Sequence, residues 1–183
     1  MTGRAPDGVR IRAATPADFD GVTAIYNHYI ETSHVTFDTR SCSADERAPW
    51  FCQFGPDGPY RLFVAERDAT VVGWASSTRL RPKPAYDSSV ETTIYLDPAA
   101  TGRGVGQALY DRLLAELEAV GVHRAYAGIA LPNPTSVVFH ERYGYRRVGR
   151  FHEVGFKFER YWDVAWYERP FQPAVFTDSD PGV

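Results

Sequence analysis

The sequence predicts a single mixed α/β domain, and three observations carry that expectation. The 183 residues are 44% hydrophobic and 23% charged, an ordinary globular balance in a chain long enough to bury about 70% of its unfolded surface without a disulfide or metal. Apolar residues switch repeatedly between alternation and helical spacing, with no internal repeat and no linker. Near the middle, a strand, a glycine-rich turn, a helix and a second strand follow one another, which implies a locally parallel pair with a right-handed crossover.

The elements follow in order. Residues 9–14 alternate as a first strand, then Thr15, Pro16 and Asp18 supply an N-cap, a proline at the first helical position and an acidic third residue. Phe19, Val22, Ile25, Tyr29 and Ile30 recur at helical spacing, giving an apolar face through to about Glu31. Residues 43–46 repeat the capping pattern ahead of Trp50, Phe51 and Phe54, and Pro49 is expected to kink or shorten that helix. Residues 61–66 and 71–78 read as a hairpin around residues 67–70, followed by a proline-punctuated basic loop over 79–87.

A strand over 90–96 ends at Asp97-Pro98, and residues 101–106 lead into a helix carrying Leu109, Leu113, Leu114 and Leu117 that Gly121 stops. A strand over 125–131, a short helix over 134–143 closed by Gly144, and strands over 146–154 and 161–167 complete the order β-α-α-β-β-β-α-β-α-β-β. The domain is expected over residues 9–169, with residues 1–8 flexible and 170–183 a loose tail.

Composition narrows the function. Twenty Lys and Arg against 23 Asp and Glu leave a formal charge of −3, and no basic run could neutralise a track of phosphates, so nucleic acid is not an expected partner. No apolar stretch approaches the ~20 residues of a membrane span. The opening MTGRAPDGVR lacks the plan of a signal peptide. No membrane association and a cytoplasmic location are therefore expected. Cys42 and Cys52 fit neither a zinc knuckle nor a redox pair and are expected as small buried hydrophobes. His28, His34, His123 and His152 lack metal-ligand spacing, and no metal is expected.

Thr101, Gly102, Arg103, Gly104, Val105 and Gly106 lie between a strand and a helix, where free N–H groups and the helix dipole favour an anion such as a pyrophosphate. Neither register of these glycines matches the dinucleotide fingerprint, and no Gly-Lys-Ser/Thr follows to make a nucleotide P-loop. The turn alone also fits a tight connection with no ligand. In its context, between the strand Glu91-Thr-Thr-Ile-Tyr-Leu-Asp-Pro98 and a leucine-rich helix, Gly104-x-Gly106 resembles the coenzyme A turn of the GCN5-related N-acetyltransferase (GNAT) superfamily. Thr101 stands where the superfamily usually has Gln or Arg, with an arginine two positions later at Arg103.

A closer resemblance spans roughly residues 9–169. Asn27-His-Tyr-Ile-Glu-Thr-Ser33, Phe37, Ala85-Tyr-Asp87, Glu91-Thr-Thr-Ile-Tyr95, Leu131-Pro-Asn133, His140-Glu141, Gly144-Tyr145, Gly155-Phe-Lys157 and Trp162-Asp-Val164 resemble phosphinothricin N-acetyltransferases in order and spacing. The resemblance implies an acyl-CoA N-acyltransferase fold, with a mostly antiparallel sheet flanked by helices and a splayed parallel strand pair. It also implies acetyl-CoA as donor, the α-amino group of phosphinothricin or a similar amino acid as acceptor, direct transfer, and a homodimer.

Aminolysis of a thioester needs a neutral amine, donors for the carbonyl oxygen and a proton for the departing thiolate. Glu91 shares a strand face with Thr93 and Tyr95, opposite Val90, Thr92, Ile94 and Leu96. The resemblance places a catalytic glutamate there, able to take the ammonium proton directly or through water; the plainer alternative is a strand glutamate in an ion pair. His140 occupies the position of a histidine in the resembled family, as donor to the thiolate or as a relay, against a surface histidine with ordinary hydrogen bonds. Ser136 and His140, four apart on one helix face, do not make a Ser-His hydrolase, because no nucleophile elbow and no third orienting group accompanies them.

Asn133 is expected to cap its helix and, by analogy, to contact the pantetheine arm near Ser136. The main-chain N–H groups of Tyr95 and Leu96 are candidates for the thioester carbonyl if the strand is splayed from its neighbour. For the acceptor, Phe37, Arg81, Lys83 and Tyr86 are the candidates: a carboxylate and a phosphinate need cations, and aromatic walls confine a short side chain. Arg81 and Lys83 reverse the family's Lys and Arg, and Ser88 replaces a tryptophan common in its members, which enlarges the expected pocket. A solvated basic loop is the alternative there. Two other functions remain open from sequence: a catalytically silent acyl-CoA-binding module, and acetylation of polyamines or other amines.

Overall fold

A computed structural model of the protein describes Pro6 and residues 8–171. Of the segments expected to be loose, all but Pro6, Gly8, Pro170 and Phe171 lie outside the described residues. One seven-stranded sheet organises the chain, in the order β1-β2-β3-β4-β5-β7-β6. Its strands are β1 (Arg10–Ala13), β2 (Leu62–Arg67), β3 (Thr70–Arg79), β4 (Ser89–Leu96), β5 (Arg124–Leu131), β6 (Arg146–Lys157) and β7 (Arg160–Pro170). The helices are α1 (Phe19–Thr32), α2 (Ala48–Phe51), α3 (Val105–Ala119) and α4 (Pro134–Arg142).

The order of elements matches the sequence reading, with local corrections that have identifiable causes. The first turn expected in α1 winds as a 3₁₀ turn over Pro16–Asp18. Asp18 anchors it by accepting from the Thr15 N–H and hydroxyl at 2.7 and 2.9 Å, while both terminal nitrogens of Arg12 donate to its carboxylate at 2.7 Å. Pro49 confines α2 to a single turn, and the reciprocal bonds of Ser43 and Glu46 close the turn ahead of it rather than capping the helix itself. Neither cysteine is buried as expected: Cys52, just past this shortened helix, is exposed and Cys42 is half-buried. The last two strands run beyond their expected ends, because their hairpin turns at Phe158 and Glu159, both at positive φ, and bulges in β6 absorb the irregular pattern.

Two cores flank the sheet. Alternation along β2 sends Leu62 and Val64 to one face, where Val22 and Ile25 of α1 meet Phe51 and Trp74, and sends Phe63 and Ala65 to the other. On that second face Leu109, Leu113, Leu114 and Leu117 of α3 pack with Val90, Ala125, Ile129 and Tyr145. Every strand pair is antiparallel except β4 with β5. That parallel pair is short: Ser89 faces Arg124, Val90 faces Ala125 and Glu91 faces Tyr126, and the ladder stops. Beyond Glu91 the two strands separate. The expected splay is present, and it positions the site. No described helix is long and apolar enough to cross a membrane.

Candidate active site

The separation of β4 from β5 leaves one edge of β4 without a neighbouring strand, so alternate N–H and C=O groups there face open space. A cavity of about 750 Å³ fills the gap. Its walls are β4 from Thr92 to Leu96, the glycine turn, and α4 with its entry residues, and Tyr29 and Val35 approach from the α1 side. Of the residues expected to hold the donor, Tyr95, Leu96, Thr101, Gly102, Gly104, Gly106, Asn133 and Ser136 line this cavity. Arg103 and Val105 do not: Arg103 is exposed and Val105 is fully buried in the α3 core.

The turn is built for close approach. Gly102 and Gly104 sit at φ +70° and +80°, a conformation that favours glycine. The helical ladder begins with Ala108 N–H donating to Gly104 O, so the N–H groups of Val105, Gly106 and Gln107 precede it and remain available to an anion. A Cβ on Gly106 would meet Leu96, Ile94 and Phe139 only at 3.4–3.6 Å, ordinary contact distances, so packing alone does not require a glycine there. Asn133 caps α4, its Oδ1 accepting from Ser136 N–H at 3.1 Å, and borders the cavity as well. Sequence reasoning missed Gln107, Phe139 and Arg142 as lining residues; the helical offsets Ser136, Phe139 and Arg142 were the available signal. Val35, on a loop, gave none.

Glu91 stands at the fork where the ladder ends. Its carboxyl is raised above the usual range by burial, against which the nearby positive charge of Arg81 acts. Among the described residues no hydrogen bond or ion pair within 4 Å engages it. The face expected to carry Glu91 does carry Tyr95, whose ring packs with Trp74 and Tyr26 in the α1 core, while Val90 and Thr92 are buried toward α3.

His140 is buried rather than on the surface, at 4% exposure. Its Nδ1 lies 2.8 Å from Ser136 O, which fixes a proton on that nitrogen, and its Nε2 lies 2.8 Å from the Tyr110 hydroxyl. Tyr110 reaches Thr92 at 3.2 Å, and Thr92 meets the Tyr145 hydroxyl at 2.7 Å. Burial lowers the His140 pKa, so the imidazole is neutral near pH 7. Both ring nitrogens are engaged, and a proton arriving at Nε2 is accommodated when the Tyr110 hydroxyl turns its own hydrogen toward Thr92. Ser136 Oγ sits 3.3 Å from Nδ1. Among the described residues no carboxylate orients this pair as in a hydrolase triad.

The acceptor candidates divide. Arg81, Lys83 and Tyr86 lie on the exposed loop between β3 and β4, at the Glu91 end of β4, and outside the cavity lining. Phe37 lies elsewhere, with its ring in the space that a Cβ on Gly155 of β6 would fill.

The sequence matches the acetyltransferase (GNAT) domain family over residues 11–166. This chain belongs to the GNAT superfamily and, within it, to the phosphinothricin N-acetyltransferase family. It is 50% identical over 164 residues to a phosphinothricin N-acetyltransferase of Streptomyces coelicolor, covering 88% of this chain and 96% of the relative. It is 32% identical over 158 residues to an L-methionine sulfoximine/L-methionine sulfone acetyltransferase of Salmonella typhimurium, covering 86% and 92%. Among solved structures it is similar to a GNAT superfamily phosphinothricin acetyltransferase from Sinorhizobium meliloti in complex with acetyl-CoA, with TM-score 0.86, 30% identity, and coverage of 96% of this chain and 95% of that one. The chain is an acetyltransferase.

Proposed function

We propose that this acetyltransferase moves the acetyl group of acetyl-CoA directly to the α-amino group of a small amino acid of the phosphinothricin or methionine sulfoximine type. The observation that carries the reading is the position of Glu91 at the fork: a half-buried carboxyl with no partner among the described residues, next along β4 to the cavity-lining Thr92 and within reach of the Arg81 charge. The relatives' names support the acceptor class. Acetyl-CoA supplies an activated acyl group and a thiolate leaving group. The chain's residues fit it: the N–H groups of Val105, Gly106 and Gln107 hold the pyrophosphate, Asn133 and Ser136 border the pantetheine arm, and the free edge of β4 near Tyr95 and Leu96 donates to the thioester oxygen.

Glu91 accepts the ammonium proton, directly or through one water, and its raised pKa brings its basicity closer to that task. Arg81 and Lys83 hold the acceptor's anionic groups at the mouth. His140 serves as a relay: Ser136 O holds the proton on Nδ1, so a proton enters and leaves at Nε2, which the Tyr110 hydroxyl faces. The dimer implied by the family has a fitting surface: Val148, Phe151, Val154, Phe156, Phe158 and Tyr161 are 51–60% exposed on the β6–β7 hairpin, and β6 is an edge strand. A second copy of the chain is the proposed occupant.

Thiol release from acetyl-CoA tests the acceptor. Phosphinothricin and methionine sulfoximine are expected to be acetylated in preference to ordinary amino acids and polyamines. Faster turnover of spermidine than of any carboxylate-bearing amine would reject the amino-acid assignment.

A further inference from the structure

Lys157 is a buried cation that the chemistry above does not use. It ends β6 at 5% exposure, and its ammonium donates to two main-chain oxygens far away in sequence, Ser33 O at 2.8 Å and Thr36 O at 2.9 Å. Those oxygens belong to the segment 33–37, which leaves the end of α1 and crosses the fork. Tyr95 of β4 donates its hydroxyl hydrogen to Val35 O at 3.3 Å, and Val35 borders the cavity. On the far side His34 Nε2 lies 3.2 Å from Pro132 O, just past β5, and its ring stacks on Trp162 of β7 at 3.9 Å. Trp162 in turn donates its indole N–H to Lys157 O at 2.8 Å.

The segment thus touches β4, the end of β5, β7 and β6, and spans the opening as a strap. Its last residue shows how tightly it is seated. A Cβ on Gly155 would fall 2.3–2.6 Å from three atoms of the Phe37 ring, so only glycine lets the ring lie there. Gly155 and Lys157 are two residues apart on one strand and fix the strap from the same face. A lysine satisfied by carbonyls rather than by a carboxylate holds backbone geometry, because its charge-assisted bonds are spent on main-chain position.

We propose that Lys157 is a positioning residue for the acceptor: by holding Ser33 O and Thr36 O, and with Gly155 seating Phe37, it sets the strap that closes the acceptor side of the β4–β5 opening. This rests on the acceptor reading above for its kinetic consequence, but not for the clamp itself. Removing the ammonium frees the strap, which meets the donor cavity only at Val35 and Tyr95, while the glycine turn and α4, which seat the pyrophosphate and pantetheine, make none of its contacts.

Lys157→Met, which keeps the length and apolar stem, tests this with two readouts. Hydrogen exchange of amides 33–38 is expected to speed up by about tenfold or more, with β4 and α3 unchanged. The KM for phosphinothricin or methionine sulfoximine is expected to rise by about tenfold, the scale of a lost charge-assisted contact, while kcat and the KM for acetyl-CoA stay within about twofold. Unchanged exchange at 33–38 overturns the clamp. Faster exchange with an unchanged acceptor KM, or with both KM values raised equally, overturns the positioning role. If the wild-type enzyme acetylates neither compound, the acceptor reading fails and the exchange measurement still decides the clamp. If Lys157→Met does not fold, Gly155→Ala, which displaces Phe37 with the lysine intact, is read in the same way.

Discussion

Burial and one neighbouring charge pull on Glu91 in opposite directions, and burial is the larger influence. The arrangement gives a carboxylate that is more basic than usual yet remains near a cation able to hold an anionic acceptor. Arg81→Ala and Lys83→Ala are therefore expected to raise the acceptor KM by about tenfold each with little change in kcat, measured by steady-state kinetics. Indifference to both changes would return that loop to solvent. His140 gives a prediction of a different kind. Its folded-state pKa lies below the ~6.5 of an unfolded histidine, so as pH falls below about 6.5 the unfolded chain takes up the proton first. Stability present above that pH is lost on acidification, and chemical denaturation between pH 7 and 5 should show a shallower fall in His140→Phe. The placement of Glu91 on its strand was legible from alternation. The burial of His140 was not, since its partners Tyr110, Thr92 and Tyr145 come from three other elements.

At the level of elements, period and punctuation were enough to order every strand and helix, because each amphipathic face had one core to meet. Ends were less legible. The β2–β3 turn places Asp68 and Ala69 at φ +49° and +60°, a geometry that suits a tight hairpin but costs an alanine energy. Ala69→Gly is expected to stabilise the protein by about 0.5–1 kcal/mol, visible as a shifted denaturant midpoint, since relief of left-handed strain outweighs the entropy that glycine adds to the unfolded chain. The glycine turn ahead of α3 shows the converse: Gly104→Val combines a left-handed φ that disfavours a branched side chain with added bulk at the proposed anion seat. Weaker acetyl-CoA binding by calorimetry is expected there, and Gly106→Ala, whose Cβ has room, should weaken binding less while leaving the fold intact.

Across the whole molecule, what sequence could not supply was which distant segments meet. Nothing local announces that β7 lies between β5 and β6, or that a lysine at the end of β6 holds the loop after α1. The same topology leaves β6 at the sheet edge with its aromatic row exposed. A dimer is expected by sedimentation, and Phe156→Glu should shift it toward monomer by placing a charge in an apolar contact. The strand pair opens just beyond Glu91, and on the proposed reading this lets the carboxyl take the acceptor's proton beside the thioester. Turnover of Glu91→Gln at saturating acetyl-CoA tests it most directly. A loss of about 10²-fold or more is predicted, the usual scale of general base help, with acetyl-CoA affinity unchanged; near-native turnover across the pH range would contradict it.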